Sequence, residues 1–261
     1  MSFGALIEGA ERREGGFALS VPETWYQGRT AYGGFSAAVC LQAAIEQGGE
    51  GLAPLRSAQF AMIAPVNGEI AVSAKVIRTG RNATWISAQI LSGGALAFTA
   101  SMVFMGPVES ALHINERPVP PGLVPPAEAR AVTFTEHTPA FLRHHFEARH
   151  AVAPSGEKQP EMTRWLRLNQ GAGMHPMVAL VLLADALPPG VMPLMTAWVP
   201  ISTMHWQVNL LTPAPVTEDG WFLLRSVGDY AEKGCSSQRM AIWNSAAEPV
   251  MAGMQSVALF G

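Results

Sequence analysis

The sequence predicts an α+β protein of two similar halves, each an antiparallel sheet wrapped around one buried helix. Three observations predict it. Phe35–Gln47 and Met177–Leu187 are apolar on every side, as a helix enclosed by protein is and a surface helix is not. Each is followed by four strand-like runs in which polar and apolar residues roughly alternate. The order of glycine-containing loop, helix and strands occurs twice, which is the mark of an internal repeat.

Taken in order, residues 1–16 are polar and glycine-containing and read as a frayed lead-in. Phe17–Val21 reads as a short strand stopped by Pro22. The loop Trp25–Gly34 delivers the chain into the first helix, which is alanine-rich and carries no charge until Glu46. Leu55–Ile63, Glu69–Thr79, Ala83–Leu91 and Ala95–Met105 then form an antiparallel meander with one buried face. Residues 107–126 hold Pro107, Pro118, Pro120, Pro121, Pro125 and Pro126. Proline cannot donate to a ladder, so this stretch reads as a semi-rigid linker. The expected organisation is a first repeat over 1–106, a connector over 107–140 and a second repeat over 141–261.

The second repeat begins with Phe141–Val152 and Met162–Leu168 as strands and Gly171–His175 as a glycine loop. Its helix must stop by Leu187, because Pro188-Pro189-Gly190 follows and the residue before a proline avoids the helical region. Strands are expected at Val199–Leu211, Gly220–Tyr230, Cys235–Trp243 and Pro249–Phe260. Pro65 and Pro213 close equivalent strands, and Gly80 and Gly234 mark equivalent turns.

Composition removes several classes. Hydrophobic residues are 49% and charged residues 14%, enough for a large core and sparse enough at the surface to favour self-association. A net charge of -3 without a Lys/Arg cluster argues against a nucleic-acid partner. No apolar run reaches the ~18–20 residues of a membrane span, and the N-terminus lacks a signal-peptide pattern. Cys40 and Cys235 are isolated thiols that fit a reducing, cytoplasmic setting. His144, His145 and His150 have no Cys or Glu at ligand spacing, so no metal site is expected. No Gly-x-Ser-x-Gly elbow occurs, which leaves a serine hydrolase unsupported.

One residue stands against its surroundings. Asp185 is a lone carboxylate near the C-terminal end of an apolar helix, where the helix dipole disfavours negative charge. Residues placed against local preference mark function or strain.

The duplicated pattern resembles the double hot-dog fold, and the chain is similar to the acyl-CoA thioesterase II family. The resemblance rests on Gly28-Arg-Thr-Ala-Tyr-Gly-Gly34, Leu55-Arg-Ser-Ala-Gln-Phe60, Asp185, Ser202-Thr-Met-His-Trp-Gln-Val208 and Val250-Met-Ala-Gly-Met-Gln255, and runs from about residue 17 to 260. It implies hydrolysis of an acyl-CoA by a water that Asp185, Thr203 and Gln255 hold and polarise. A developing oxyanion needs backbone donors such as those at a helix N-terminus, for which Gly33-Gly34 and Gly171/Gly173 are candidates. Tyr32, Gly33 and Gly34 are expected to face the three side chains as an oxyanion and substrate loop. No cofactor is implied, and the expected assembly is a homo-oligomer, a dimer of double units. Two positions depart from the family: His205 stands where relatives often have Asp, and Gln59 where some have His. Both are possible pocket residues bearing on substrate preference. Two other readings compete: a non-catalytic protein binding an acyl or aromatic ligand, and an enoyl-CoA hydratase using His175.

Overall fold

The computed structural model describes residues 1–153, 156–197 and 199–260. The first half contains α1 (Phe3–Glu8), β1 (Glu11–Arg13), β2 (Gly16–Ser20), β3 (Tyr26–Gln27), β4 (Thr30–Ala31), α2 (Gly33–Gly48), β5 (Leu55–Met62), β6 (Glu69–Thr79), β7 (Ala83–Ser92) and β8 (Ala95–Met105). The second contains α3 (Ala140–His145), β9 (Phe146–His150), β10 (Glu161–Leu168), α4 (Pro176–Ala184), β11 (Ile201–Leu210), β12 (Phe222–Glu232), β13 (Cys235–Asn244) and β14 (Pro249–Leu259).

Twelve strands form one antiparallel sheet in the order β1-β2-β6-β7-β8-β5-β11-β14-β13-β12-β10-β9. The halves meet at β5 and β11, where Phe60 faces Trp206 and Gln59 faces Gln207. Their ring centroids put Phe60 and Trp206 5.0 Å apart on the inner face, an aromatic pair that locks the seam. α2 and α4 pack against each other inside the curl of the sheet. Ten residues of α2 and seven of α4 are buried; α4 carries no charge, and the one charge of α2, Glu46, lies exposed in its last turn. This is the double hot-dog architecture, α+β in class.

Three local expectations are corrected. The lead-in is not frayed: Ser2 caps α1 by accepting the Ala5 N–H at 3.2 Å, and Phe3, Leu6 and Ile7 fall on one buried stripe. Phe141–Val152 is not one strand. Phe141 and His145 lie one helical turn apart and are buried, while Arg143 and His144 between them are exposed, so α3 forms before β9 starts. The proline-rich connector, expected as a semi-rigid linker, is docked on the second half. Trp165 Nε1 donates to Val124 O at 2.7 Å and Trp243 Nε1 to Arg117 O at 2.9 Å, and a satellite core of Ala129, Ala151, Trp165, Trp221, Leu223 and Trp243 forms beneath it.

Candidate active site

The N-terminus of α2 meets the C-terminus of α4. α4 ends one turn earlier than its apolar run suggests, and Asp185 is its C-cap. Tyr32, the N-cap of α2, is fully buried, and its hydroxyl donates to Leu182 O in the last turn of α4. That bond satisfies a carbonyl left without an intrahelical partner and bolts the two helix ends together. Tyr32 stacks on Phe141 at 4.0 Å between centroids, so α3 backs it. Burial pushes its phenol well above the ordinary value, so Tyr32 stays neutral.

Asp185 is thus at the unfavourable end of its own helix but at the favourable end of α2. The Gly34 N–H, in the first turn of α2, bonds to its carboxylate. Gln255 Nε2 donates to Asp185 Oδ1 at 2.5 Å. Burial pushes the carboxyl up to about 7, against the downward pull of Gln255 and of the Gly34 N–H. The residue keeps part of its surface open to solvent. A partly exposed carboxyl poised near neutrality is what proton abstraction at neutral pH requires.

Space around the carboxylate requires glycine. A Cβ on Gly33 would run into Asp185 Oδ2 and approach Met62 Cε at 2.7 Å, and one on Gly34 would meet Leu182 O at 2.7 Å. Neither glycine has a positive φ, so they serve close approach rather than backbone conformation. No hydrogen bond from the Gly33 N–H is found among the described residues.

Thr203 reaches this side of the sheet through a bulge. It faces Val257, while Trp206 faces Gln255, and the register slips between Thr203 and His205. Without that extra residue Thr203 and Trp206 would point to opposite faces. Thr203 therefore lies one pair along from Gln255 on the inner face, and makes no side-chain hydrogen bond to Asp185 or Gln255 among the described residues. Trp206 Nε1 and Ser236 Oγ, on the rows of Gln255 and Thr203 respectively, are buried without hydrogen-bond partners among the described residues.

Gln59 and His205 lie elsewhere. Gln59 faces Gln207 and His205 faces Ala61, on the outer face opposite Phe60 and Trp206, and both side chains are exposed. His175 caps the far end of α4, its Nδ1 accepting the Met177 N–H at 3.3 Å, nine helical residues or about 14 Å from Asp185. It cannot pair with Asp185 as a hydratase dyad would. His145 is also structural, stacked on Trp25 at 3.6 Å with its Nε2 3.1 Å from Thr24 Oγ1.

Sequence reasoning missed Gln238. It is buried at 1% exposure, directly opposite Gln255, and its Nε2 donates to Gln255 Oε1 at 2.5 Å. Its own Oε1 accepts the Gly190 N–H at 2.8 Å. The alternation of β13 held the signal: Gln238 shares parity with Met240 and Ile242, and so faces inward with them.

Among the described residues no cluster of three or more His, Cys, Asp or Glu is placed to hold a metal ion. No helix among them is long and apolar enough to cross a membrane.

Comparison with known proteins bears on the family and the fold. The acyl-CoA thioesterase N-terminal domain profile matches residues 21–105, and the acyl-CoA thioesterase C-terminal domain profile matches 121–259. No curated protein matches the sequence. Among solved structures, a conserved hot-dog protein from Alicyclobacillus acidocaldarius superposes with a TM-score of 0.85 at 20% identity, covering 100% of this chain and 99% of its own. The acyl-CoA thioesterase II TesB2 from Mycobacterium marinum superposes at 0.76 with 16% identity, covering 98% and 97%. The tesB protein of Mycobacterium avium subs paratuberculosis gives 0.76 with 14% identity over 100% of both chains. At these identities the structures speak for the fold, and the profiles, which together span most of the sequence, speak for the family. The chain belongs to the acyl-CoA thioesterase family.

Proposed function

We propose that the protein hydrolyses acyl-CoA thioesters, with Asp185 as the base that activates water. One observation carries the reading: a buried carboxyl pushed up to about 7, at the end of one repeat's helix and bonded by the N-terminus of the other's. A water held by Asp185 and Thr203 gives up a proton to Asp185 as its oxygen attacks the thioester carbonyl carbon. The carbonyl oxygen takes the negative charge, and the Gly33 N–H at the positive end of α2 receives it. Collapse of the tetrahedral intermediate breaks the carbon–sulfur bond and releases CoA as thiolate, and Asp185 returns its proton to the sulfur or to solvent. Gln255 orients Asp185 and so sets the direction from which water approaches. The unpartnered Trp206 Nε1 and Ser236 Oγ support the reading, since buried polar groups without protein partners mark places that water or substrate satisfies.

Thiol release measured across a panel of acyl-CoA chain lengths, branched and aromatic acyl groups tests the proposal. Hydrolysis of at least one class, abolished by Asp185→Asn, is expected. Saturable binding with no CoA release would leave an acyl-ligand-binding protein instead. The reading extends to a dimer of double units, consistent with exposed Ile77, Trp85 and Met254 on the sheet strands. Light scattering that finds only monomer at micromolar concentration would remove that part.

A further inference from the structure

An amide side chain can turn either its oxygen or its nitrogen toward a neighbour, and the two choices present opposite chemistry. For Gln255 the choice matters. Nitrogen toward Asp185 offers a donor that suits a carboxylate, whereas oxygen would suit a protonated acid. Nothing in Gln255 alone decides between them.

The decision is made two residues away. The Gly190 N–H is a backbone group and can only donate. It therefore requires the oxygen of Gln238, which it meets at 2.8 Å. That turns Gln238 Nε2 toward Gln255, where it requires the oxygen of Gln255, at 2.5 Å. The remaining Gln255 Nε2 then faces Asp185 Oδ1 at 2.5 Å. The chain of bonds has one direction, set at a backbone amide. Gly190 is itself closely packed: a Cβ there would meet the Gly228 N at 2.6 Å and Ser226 O at 2.9 Å, and Pro188 O accepts from Ser226 Oγ at 3.1 Å. Gln238 and Gln255 are 1% and 4% exposed, so no bulk water competes for either amide.

We propose that Gln238 is a positioning residue: by fixing which atom of the Gln255 amide faces Asp185, it presents a donor to the base and holds it aimed at water. It touches neither substrate nor reacting atoms. The proposal rests on the reading of Asp185 as base.

The test replaces Gln238 with Met, similar in length but unable to donate or accept, and compares Gln255→Met and the double variant. Gln238→Met is expected to lower kcat by roughly 10- to 100-fold, as loss of alignment at a reacting group does, with KM unchanged. The midpoint of the pH–rate profile should move to higher pH, because Gln255 becomes free to turn its oxygen to the carboxyl. In the Gln255→Met background the second change should cost less than 3-fold more. Gln238→Glu supplies the rescue: as a neutral acid it keeps an acceptor for Gly190 and a donor for Gln255. It should recover most of the rate at low pH and lose it as it ionises, a falling alkaline limb that the wild-type protein lacks. If Gln238→Met fails to fold, that limb alone decides.

A wild-type midpoint in Gln238→Met, full additivity in the double variant, or no alkaline limb in Gln238→Glu would each overturn the proposal. The pH dependence of unfolding follows Asp185 without catalysis and separates the two claims. If turnover survives Asp185→Asn while Gln238→Met still moves the unfolding midpoint, the catalytic reading fails and the relay stands. If Asp185→Asn abolishes turnover and Gln238→Met moves neither midpoint, the relay fails and the catalytic reading stands.

Discussion

Replacing Asp185 by Asn keeps the side chain's size and removes its charge. Two consequences can be worked from the structure. Turnover should fall by roughly 10²–10⁴, the usual worth of a positioned acid–base group. Stability should respond in the opposite sense, and the response should depend on pH. The carboxyl sits at 3.8 in an ordinary setting and at about 7 here, because burial opposes its charge. A raised carboxyl contributes stability that is fully present below the unfolded value and is lost as pH rises through the folded one. Between pH 5 and pH 8 the wild-type protein should therefore lose about 3 kcal/mol that the Asn variant does not. Asn offers one acceptor where the carboxylate offers two, so either the Gln255 or the Gly34 donor goes unpaired, a cost of about 1–3 kcal/mol that is equal at both pH values. The pH-dependent difference thus isolates the charge. Thermal unfolding of both proteins at pH 5 and pH 8 should show the Asn variant gaining roughly 5–10 °C relative to wild type between the two. A gap that does not widen would refute the claim that Asp185 is an electrostatically costly buried base.

The wild-type rate of hydrolysis should climb with pH through a midpoint near 7, since the ionised carboxylate is the active form, and a flat profile from pH 5 to 9 would exclude it as base. Gly33→Ala places a methyl against Asp185 Oδ2 and Met62, and should cut kcat by about 10²-fold with little change in unfolding temperature. Tyr32→Phe removes the bond to Leu182 O that joins the two helix ends, and should cost about 1–3 kcal/mol in denaturant unfolding. Trp243→Phe releases the connector at Arg117, and should cost about 1 kcal/mol while leaving turnover unchanged.

Both central helices were legible in the sequence because burial on every side excludes charge, and β6 and β8 fall on the residues that alternation marks. Asp185 was legible for the complementary reason, a charge where none belongs. What escaped were features in which one residue's role depends on a distant partner. α3 is short, and its buried pair, Phe141 and His145, is chosen by Tyr32 and Trp25 from the first half. The connector reads as a semi-rigid linker until Trp165 and Trp243 supply donors for its carbonyls. The bulge at Met204 inverts the facing of Thr203 relative to Trp206, and local alternation gives no sign of it. Gln238 shares its face with Met240 and Ile242, but a glutamine reads as solvated until the partners that satisfy its amide are known. The Gly190 N–H and the Gln255 amide together explain its burial.

The central claim, that Asp185 activates water rather than attacking the thioester itself, is tested most directly by one turnover in ¹⁸O-labelled water with protein in excess over acyl-CoA. Activated water places ¹⁸O in the released acid at the first turnover and leaves Asp185 unlabelled by peptide mass spectrometry. Label in Asp185, or a first-turnover acid without label, would mean that the carboxylate had formed an acyl anhydride, and Asp185 would then be a nucleophile rather than a base.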